Sequence, residues 1–439
     1  MIITQRGLTL LCQKKAVMKL NRIYVIIGAI LIASCTKNGD NPSIDEQKNN
    51  IVVTEGNVVE HEFTRGNAVP LQVSLSEQEE RMFESGYSFA IDLFEHVATN
   101  TGNVCISPLS IQTLLCILSN GLNDDLSKKM MGIMFGQDAT IHDINSGYGK
   151  LHESLEATNC VNLPNAIWLQ EGNKFNNGFL AIGREIYHST TKNLDFNSAP
   201  QSAMDSICQW AYDNSYGRLT KLGVEKLGSN TVMALGNIVW FSSAWMSAFD
   251  TTKTTVGEFT LDDGSVKEVD MMFRAGFMDY KILDKYSIIS LPFENKSFRM
   301  DMFVPNDGYT INELIPEIDW SVKLEMGKVN LQVPKFTVHS NVDGRYLLEQ
   351  TGMSELFNVG VFDRMTDLNN DAHIDELKQD ILIKVDEGGV EAVAATVASY
   401  VSRTEAVDFR IDRPFVFAIR DNAIGSFLFM GKVSTIDIQ

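Results

Sequence analysis

The chain has 439 residues, 44% hydrophobic and 21% charged, the usage of an ordinary globular protein. It carries 37 Lys and Arg against 56 Asp and Glu, a formal net charge of −19 at pH 7. Five of the basic residues (Arg6, Lys14, Lys15, Lys19, Arg22) precede Ser34, so from Cys35 onward 32 basic residues face 56 acidic ones, a net of −24. Such a surface repels phosphate backbones and argues against a nucleic-acid partner.

The first segment reads as a leader. "MKLNRIYVIIGAILIASC" has two basic residues and then an apolar run from Ile23 to Ala33, too short to span a membrane as a helix but right for a signal peptide. Ile32-Ala33-Ser34-Cys35 resembles a bacterial lipobox, in which the cysteine becomes the lipidated first residue; an ordinary cleaved leader is the other reading. Residues 1–17 are expected to add little, with Met18 as the true start. From Cys35 to about residue 75 the chain is polar and without periodicity, a flexible tether. The expected division is a leader at 1–34, a tether at 35–75 and one domain at 76–439. The expected product is an exported outer-membrane lipoprotein, facing the periplasm or the outside.

Beyond the tether, "EQEERMFESGYSFAIDLFEHVA" places Met82, Phe83, Tyr87, Phe89, Leu93 and Phe94 on one helical face. "LSIQTLLCILSNGL" predicts a second helix opening at Leu109 and Ser110 and closing before Gly121. "VNLPNAIWLQ" and "TVMALGNIVWFSSAW" read as buried strands, and "SICQWAYDNSYGRL" as an amphipathic helix ending near Gly217. Strands then crowd together: "GEFTLDDGSVKEVDMMF" with an Asp263-Gly264 hairpin turn, "SIISLPFENKSFRMDMFVPND" and "KVNLQVPKFTVHS". Helices come mostly first and strands later, without a repeat, which predicts one α+β domain.

The chemistry of common enzymes is missing. There is no GxSxG, HExxH or P-loop pattern, and the seven histidines are scattered. "DLNNDAHIDELK" imitates a calcium loop at its first three ligand positions, but it lacks the central glycine and ends in Lys378, so it reads as a solvated acidic loop with an exposed His373. Cys105, Cys116, Cys160 and Cys208 have no metal-like spacing; a Cys160–Cys208 disulfide is conceivable in an exported protein, and buried thiols are the plainer expectation. No cofactor or metal is called for.

One stretch resists assignment. "EGGVEAVAATVASYVSRTEAVDF" (Glu387 to Phe409) mixes helix-favouring alanines with strand-favouring Val390, Val393, Thr396, Val397 and Val401, behind Gly388-Gly389. It lies between two strand-like segments, "ILIKVD" and "RPFVFAI".

Several segments in order resemble the serpins, inhibitors that trap proteases by a conformational change. "NVCISPLSIQTLL", "NAIWLQ", "ICQWAYDNSYGRL", "LGNIVWFSSAWMSAFD", "LPF...MDMFVP", "VNLQVPKFTVHSN...YLLEQTGMSELF" and "DRPFVFAIRDNAIGSFLFMGKV" follow the family pattern from about Ser76 to the C-terminus. The resemblance implies an α+β fold of three β-sheets and about eight or nine helices, with an exposed reactive-centre loop. It implies that Arg403–Thr404 is the bond offered to the protease, and that Glu387, Gly388, Gly389, Val390, Glu391, Ala392, Val393, Ala394, Ala395 and Thr396 form the hinge. Ser107, Pro108, Ser110 and Asn237 match the family's shutter. Gln379 stands where many animal members have His, and its amide is expected to bridge strands by hydrogen bonds. Trp245 matches the aromatic where insertion begins, and Lys335 and Glu387 match a bonded pair there.

In a strand, alternate side chains face one way. Val390, Ala392, Ala394, Thr396, Ala398, Tyr400 and Ser402 would then face inward, while the charged Glu391 would face solvent with Val393, Ala395, Val397 and Ser399. The family usually has Thr or Ser at the first inserted position; here it is Val390. Arg403 implies trypsin-like or Arg-specific cysteine proteases as partners, with Tyr400 and Val401 as alternative bait. The expected partners are target proteases, held as a covalent acyl complex, and a membrane through the lipid; the expected state is a monomer. The rival reading is a non-inhibitory lipoprotein of the same fold that binds a ligand or partner. A charged or bulky inward hinge residue would favour it, and none is present.

Overall fold

A computed structural model describes residues 23–35, 68–217, 219, 231–366, 372–388 and 405–436. In chain order the first half runs β1 (Ile23–Cys35), α1 (Glu77–Ala98), β2 (Val104–Ile106), α2 (Pro108–Ser119), α3 (Asp124–Phe135), α4 (Ile141–Ala157), β3 (Val161–Asn162), β4 (Asn165–Gln170), α5 (Asn177–Glu185), β5 (Thr190–Leu194), α6 (Pro200–Asn214) and β6 (Thr231–Ser243). Then come β7 (Thr255–Thr260), β8 (Val266–Ile282), β9 (Tyr286–Pro292), β10 (Phe298–Pro305), α7 (Ile311–Leu314), β11 (Glu325–Pro334), β12 (Phe336–Asp343), α8 (Gly344–Gln350), β13 (Ala372–Val385), β14 (Val407–Arg410), β15 (Phe415–Asp421) and β16 (Phe427–Val433).

Local chemistry sets many of these boundaries. Ser76 caps α1 and Glu79 returns the bond to the Ser76 N–H, a closed capping box. Ser107 caps α2, with Pro108 at the first helical position, where its missing N–H costs nothing. Gly264, at φ +78°, makes the turn between β7 and β8 that Asp263-Gly264 predicted.

A seven-stranded sheet has the order β12-β13-β1-β6-β4-β5, with β3 beside β6. The other strands run β14-β11-β8-β9-β10-β15-β16-β2, with β7 on β8. The 17-residue β8 joins two limbs here, pairing β11 along Met271–Tyr280 and β9 only at Asp279–Ile282. With the seven-stranded sheet these make a three-sheet α+β fold, carrying eight α-helices among the described residues.

The unbroken apolar run of β6 follows from burial on both faces. Met233, Leu235, Val239 and Phe241 join the main core, while Ala234, Ile238 and Trp240 join a second cluster with Ala203, Met204, Ile207 and Ala211 of α6. Gly236 faces that cluster, and a Cβ there would stand 2.6 Å from the Trp168 ring. β13 sends Leu377, Ile381, Ile383 and Val385 into the main core.

The leader expected at residues 1–34 overlaps β1, because Ile23–Cys35 is a strand paired on both sides within the seven-stranded sheet. A short apolar run rich in isoleucine serves a signal peptide and a buried strand equally well, and periodicity cannot separate them. The folded body also begins before residue 76, because Leu71 is buried and its N–H donates to Ser297 Oγ at 2.6 Å. Ala372–Lys378 belongs to β13 rather than to a solvated loop, and His373 is half-buried. Its charges misled the reading, since a strand tolerates them wherever one face or end meets water. Of the two alternatives for the cysteines, the plainer one holds for Cys160, a buried thiol that accepts from Asn295 Nδ2 at 3.3 Å; it is not joined to Cys208, which lies half-buried on α6.

Candidate functional site: a strand slot between β6 and β13

β1 runs antiparallel to both β6 and β13, so those two strands are parallel to each other. They form the walls of a slot, 13 and 14 residues long. Tyr24 lies opposite Ser242 and Lys384 at one end, and Cys35 lies opposite Ala372 at the other. The chain leaves β13 at Val385, beside the start of β1, and is next described at Glu405 before β14 pairs with β11. A strand that turned back after Gly388 would travel in the direction β1 takes.

The mouth of the slot is built from Trp245, Lys335, Asp386, Glu387 and Gly388. Trp245 is buried, stacks on Phe293 at 4.7 Å, and donates its indole N–H to the Asp386 carbonyl at 3.1 Å. Its backbone N–H donates to the Gly388 carbonyl at 3.3 Å. Glu387 is buried, with Oε1 held by Lys335 Nζ at 2.9 Å and by Thr254 Oγ1 at 2.6 Å. Burial works against its charge, but the bonds from Thr254 and Lys335 outweigh that and leave its pKa below the usual value. Asp386 goes the other way: burial raises its pKa, although the carboxylate accepts the Gly388 N–H at 2.7 Å.

Halfway down, Asn237 and Gln379 lie at one level, since Ala29 of β1 is the register partner of both. Gln379 is buried and locked to the start of α2. Its Oε1 accepts the Ser107 N–H at 3.1 Å and its Nε2 donates to the Ser107 carbonyl at 3.2 Å. The amide therefore bridges strand to helix, not strand to strand. Asn237 Nδ2 donates to Asn165 Oδ1 at 2.7 Å, and its own Oδ1 has no partner among the described residues. Ser107 Oγ accepts the Ser110 N–H at 3.2 Å, with Pro108 between them in the first turn of α2.

Thus Ser107, Pro108, Ser110 and Gln379 come together, Asn237 faces them across the slot, and Trp245, Lys335, Glu387 and Gly388 gather at its mouth. Gly389, Val390, Glu391, Ala392, Val393, Ala394, Ala395, Thr396, Arg403 and Thr404 lie outside the described residues. Cys35 ends β1 at the far end of the slot. Sequence reading missed Asn165, Thr254 and Asp386. Each acts through a contact more than 70 residues distant along the chain, for which a single sequence carries no signal.

A family model described as Serpin (serine protease inhibitor) matches residues 84–436. Glia-derived nexin of Mus musculus is 28% identical over 369 residues, covering 80% of this chain and 92% of that protein. Leukocyte elastase inhibitor of Equus caballus is 26% identical over 380 residues, covering 81% and 100%. Among solved structures, an Arabidopsis serpin in its native stressed conformation superposes with a TM-score of 0.72 at 21% identity, over 83% of this chain and all of that one. The thermophilic serpin tengpin in its native state gives 0.70 at 23% identity, over 84% and 97%.

Proposed function

The chain belongs to the serpin family, and we propose that it inhibits proteases as a suicide substrate, with Arg403–Thr404 as the bait bond and the slot between β6 and β13 as the loop's destination. The observation that carries this reading is that the sheet accepts a strand antiparallel to both walls. From Val390 to Arg403 is 14 residues, which as a strand reaches roughly 45 Å. That matches walls of 13 and 14 residues. The family description and a relative named as an elastase inhibitor support protease inhibition generally.

A protease attacks the Arg403 carbonyl and forms an acyl intermediate, while the amine of Thr404 leaves. The freed loop then turns at Gly388-Gly389 and enters the slot before water completes hydrolysis, carrying the attached protease along the sheet. Arg403 suits enzymes whose specificity pocket holds a carboxylate. Leader and loop compete for one slot, so removal of the chain before Cys35 vacates it. Lipid on Cys35 would then hold the processed protein at a membrane through the following segment; two or more acyl chains give lasting attachment.

The test mixes a chain beginning at residue 36 with trypsin. An SDS-resistant adduct and a new N-terminus at Thr404 are expected, and Arg403→Ala should abolish both. Cleavage without an adduct refutes trapping, and unchanged inhibition by Arg403→Ala refutes the bait assignment.

A further inference from the structure

Away from the slot, His152, Glu156 and His188 bring three ligand atoms within 4.8 Å of one another. His152 and Glu156 are one turn apart on α4, so both project from one face. His188 comes from the turn between α5 and β5, where its backbone takes φ +49°, a region uncommon for residues with a side chain. That conformation brings its ring to 4.9 Å from the His152 ring, edge to face.

His152 is the informative member. It is 5% exposed, and its Nε2 lies 2.8 Å from the Leu163 carbonyl. A carbonyl only accepts, so Nε2 carries the proton, and the neutral ring turns its Nδ1 lone pair the other way. Nδ1 is buried and has no hydrogen-bond partner among the described residues, with Glu156 Oε2 at 3.7 Å, beyond bonding distance. A metal-ligating histidine commonly has one nitrogen fixed by a carbonyl or carboxylate and the other aimed at the ion. Glu153 Oε1 stands 3.9 Å from His188 Nε2, also beyond bonding distance.

We propose that His152 Nδ1, a Glu156 carboxylate oxygen and a His188 ring nitrogen form a binding site for one divalent transition-metal ion of the zinc class. Two imidazoles and a carboxylate are a zinc-type donor set, leaving a fourth position for water. Ligand atoms around tetrahedral zinc lie about 3.4 Å apart, so the half-buried Glu156 and exposed His188 need only small side-chain movements to close on the ion.

The ion would fasten α4 to the turn before β5, close to the slot. Asn165 Nδ2 donates to the Tyr187 carbonyl at 2.7 Å and to the Leu163 carbonyl at 3.3 Å, the same carbonyl that fixes His152. Asn165 Oδ1 in turn holds Asn237 on the slot wall. Given the inhibitor reading above, metal bound here tightens the β4–β6 side of the slot and slows strand insertion.

The site is tested without any protease. The intact chain, purified without chelator, is titrated with Co²⁺ and its visible absorption followed, with Zn²⁺ as competitor. One saturable four-coordinate Co²⁺ spectrum is expected, displaced by Zn²⁺. His188→Ala, an exposed change that leaves the core untouched, should weaken binding at least tenfold, and Glu156→Gln should weaken it too. Absence of saturable binding, or equal affinity in His188→Ala, overturns the site. A second measurement, on the chain beginning at residue 36, follows the rate of protease-adduct formation with and without Zn²⁺: a several-fold slowing when His188 is present but not in His188→Ala supports the coupling, and equal rates overturn it. Failure to form any adduct counts against the inhibitor reading and leaves the binding result standing.

Discussion

Gln379 offers the sharpest test of how the slot wall is held. Replacing it with Leu keeps the volume and removes both bonds to Ser107. The Ser107 carbonyl retains the Ile111 N–H at 3.2 Å, but the Ser107 N–H is left buried and unpaired. An orphaned buried donor costs about 1–3 kcal/mol and the second lost bond about 1 kcal/mol, giving about 2–4 kcal/mol in total. Gln379→Glu separates this from general core damage. Protonated, a glutamic acid donates its O–H to the Ser107 carbonyl and accepts the Ser107 N–H, imitating the amide. Ionised, it sets one carboxylate oxygen against that carbonyl in a site 1% exposed. Its folded pKa must therefore rise above the unfolded value of about 4.3. An acid with a raised folded pKa loses stability as pH rises: the variant should match wild type below about pH 4, then fall behind by about 1.4 kcal/mol per pH unit until the folded pKa is reached. The assay is urea unfolding followed by tryptophan fluorescence from pH 4 to 8, each variant compared with wild type at the same pH. For Gln379→Leu a midpoint drop of about 1 M is expected, nearly constant with pH. A pH-independent gap for Gln379→Glu, or a Leu variant within about 0.5 kcal/mol of wild type, would refute the reasoning.

Other consequences are open to direct measurement. A chain kept intact through residues 1–35 should be cut by trypsin without forming an adduct, whereas the chain from residue 36 should trap it; equal trapping would show that leader and loop do not compete. Lys335→Met leaves Glu387 buried with Thr254 alone, which should cost about 1–3 kcal/mol and lower the urea midpoint at neutral pH. Because the folded pKa of Glu387 is depressed, that difference should shrink as pH falls through the carboxylate range. Val390→Arg forces an unpaired charge into the inserted strand and should convert inhibitor to substrate, while Glu391→Arg should be far milder; equal stoichiometries of inhibition would sink the proposed register. Glu79, bonded to Lys150 at 2.7 Å and Ser146 at 2.6 Å, has its pKa lowered to about 2. Glu79→Gln should cost about 2–3 kcal/mol at pH 7, and that stabilisation should disappear in wild type between about pH 4.5 and 2.

Legibility from sequence followed how local each signal was. α1 is visible because its apolar positions repeat at helical spacing behind a serine cap, and β6 because a two-sided buried strand needs a continuous apolar run. The sequence reading passed over α3 and α4, although Asn123 before Asp124-Asp125 and the Thr140-x-x-Asp143 box both mark helix starts. His152 and Glu156 were also within reach at a spacing of four. Their third partner was not, because His188 is placed by a turn after another helix. The tie between Gln379 and Ser107 spans 272 residues, and only the resemblance pointed to its two ends.

The segment Ile23–Cys35 exposes what the slot selects for. Ile23–Cys35 and the segment after Gly388 share no sequence pattern beyond small or β-branched residues free of charge over most of their length. A gap between two parallel strands asks little more: backbone groups to complete both ladders, a length near 13 residues, and side chains that tolerate burial. Such a slot has low sequence specificity, so the identity of its occupant is decided by connection and timing. The loop is tethered at Gly388, at the slot's mouth, so its entry is an intramolecular event at high effective concentration. A free leader has no such advantage once it is severed. In this reading cleavage before Cys35 and cleavage after Arg403 are the two events that set the occupancy of one site. The first removes the competing strand, and the second releases the loop to take its place.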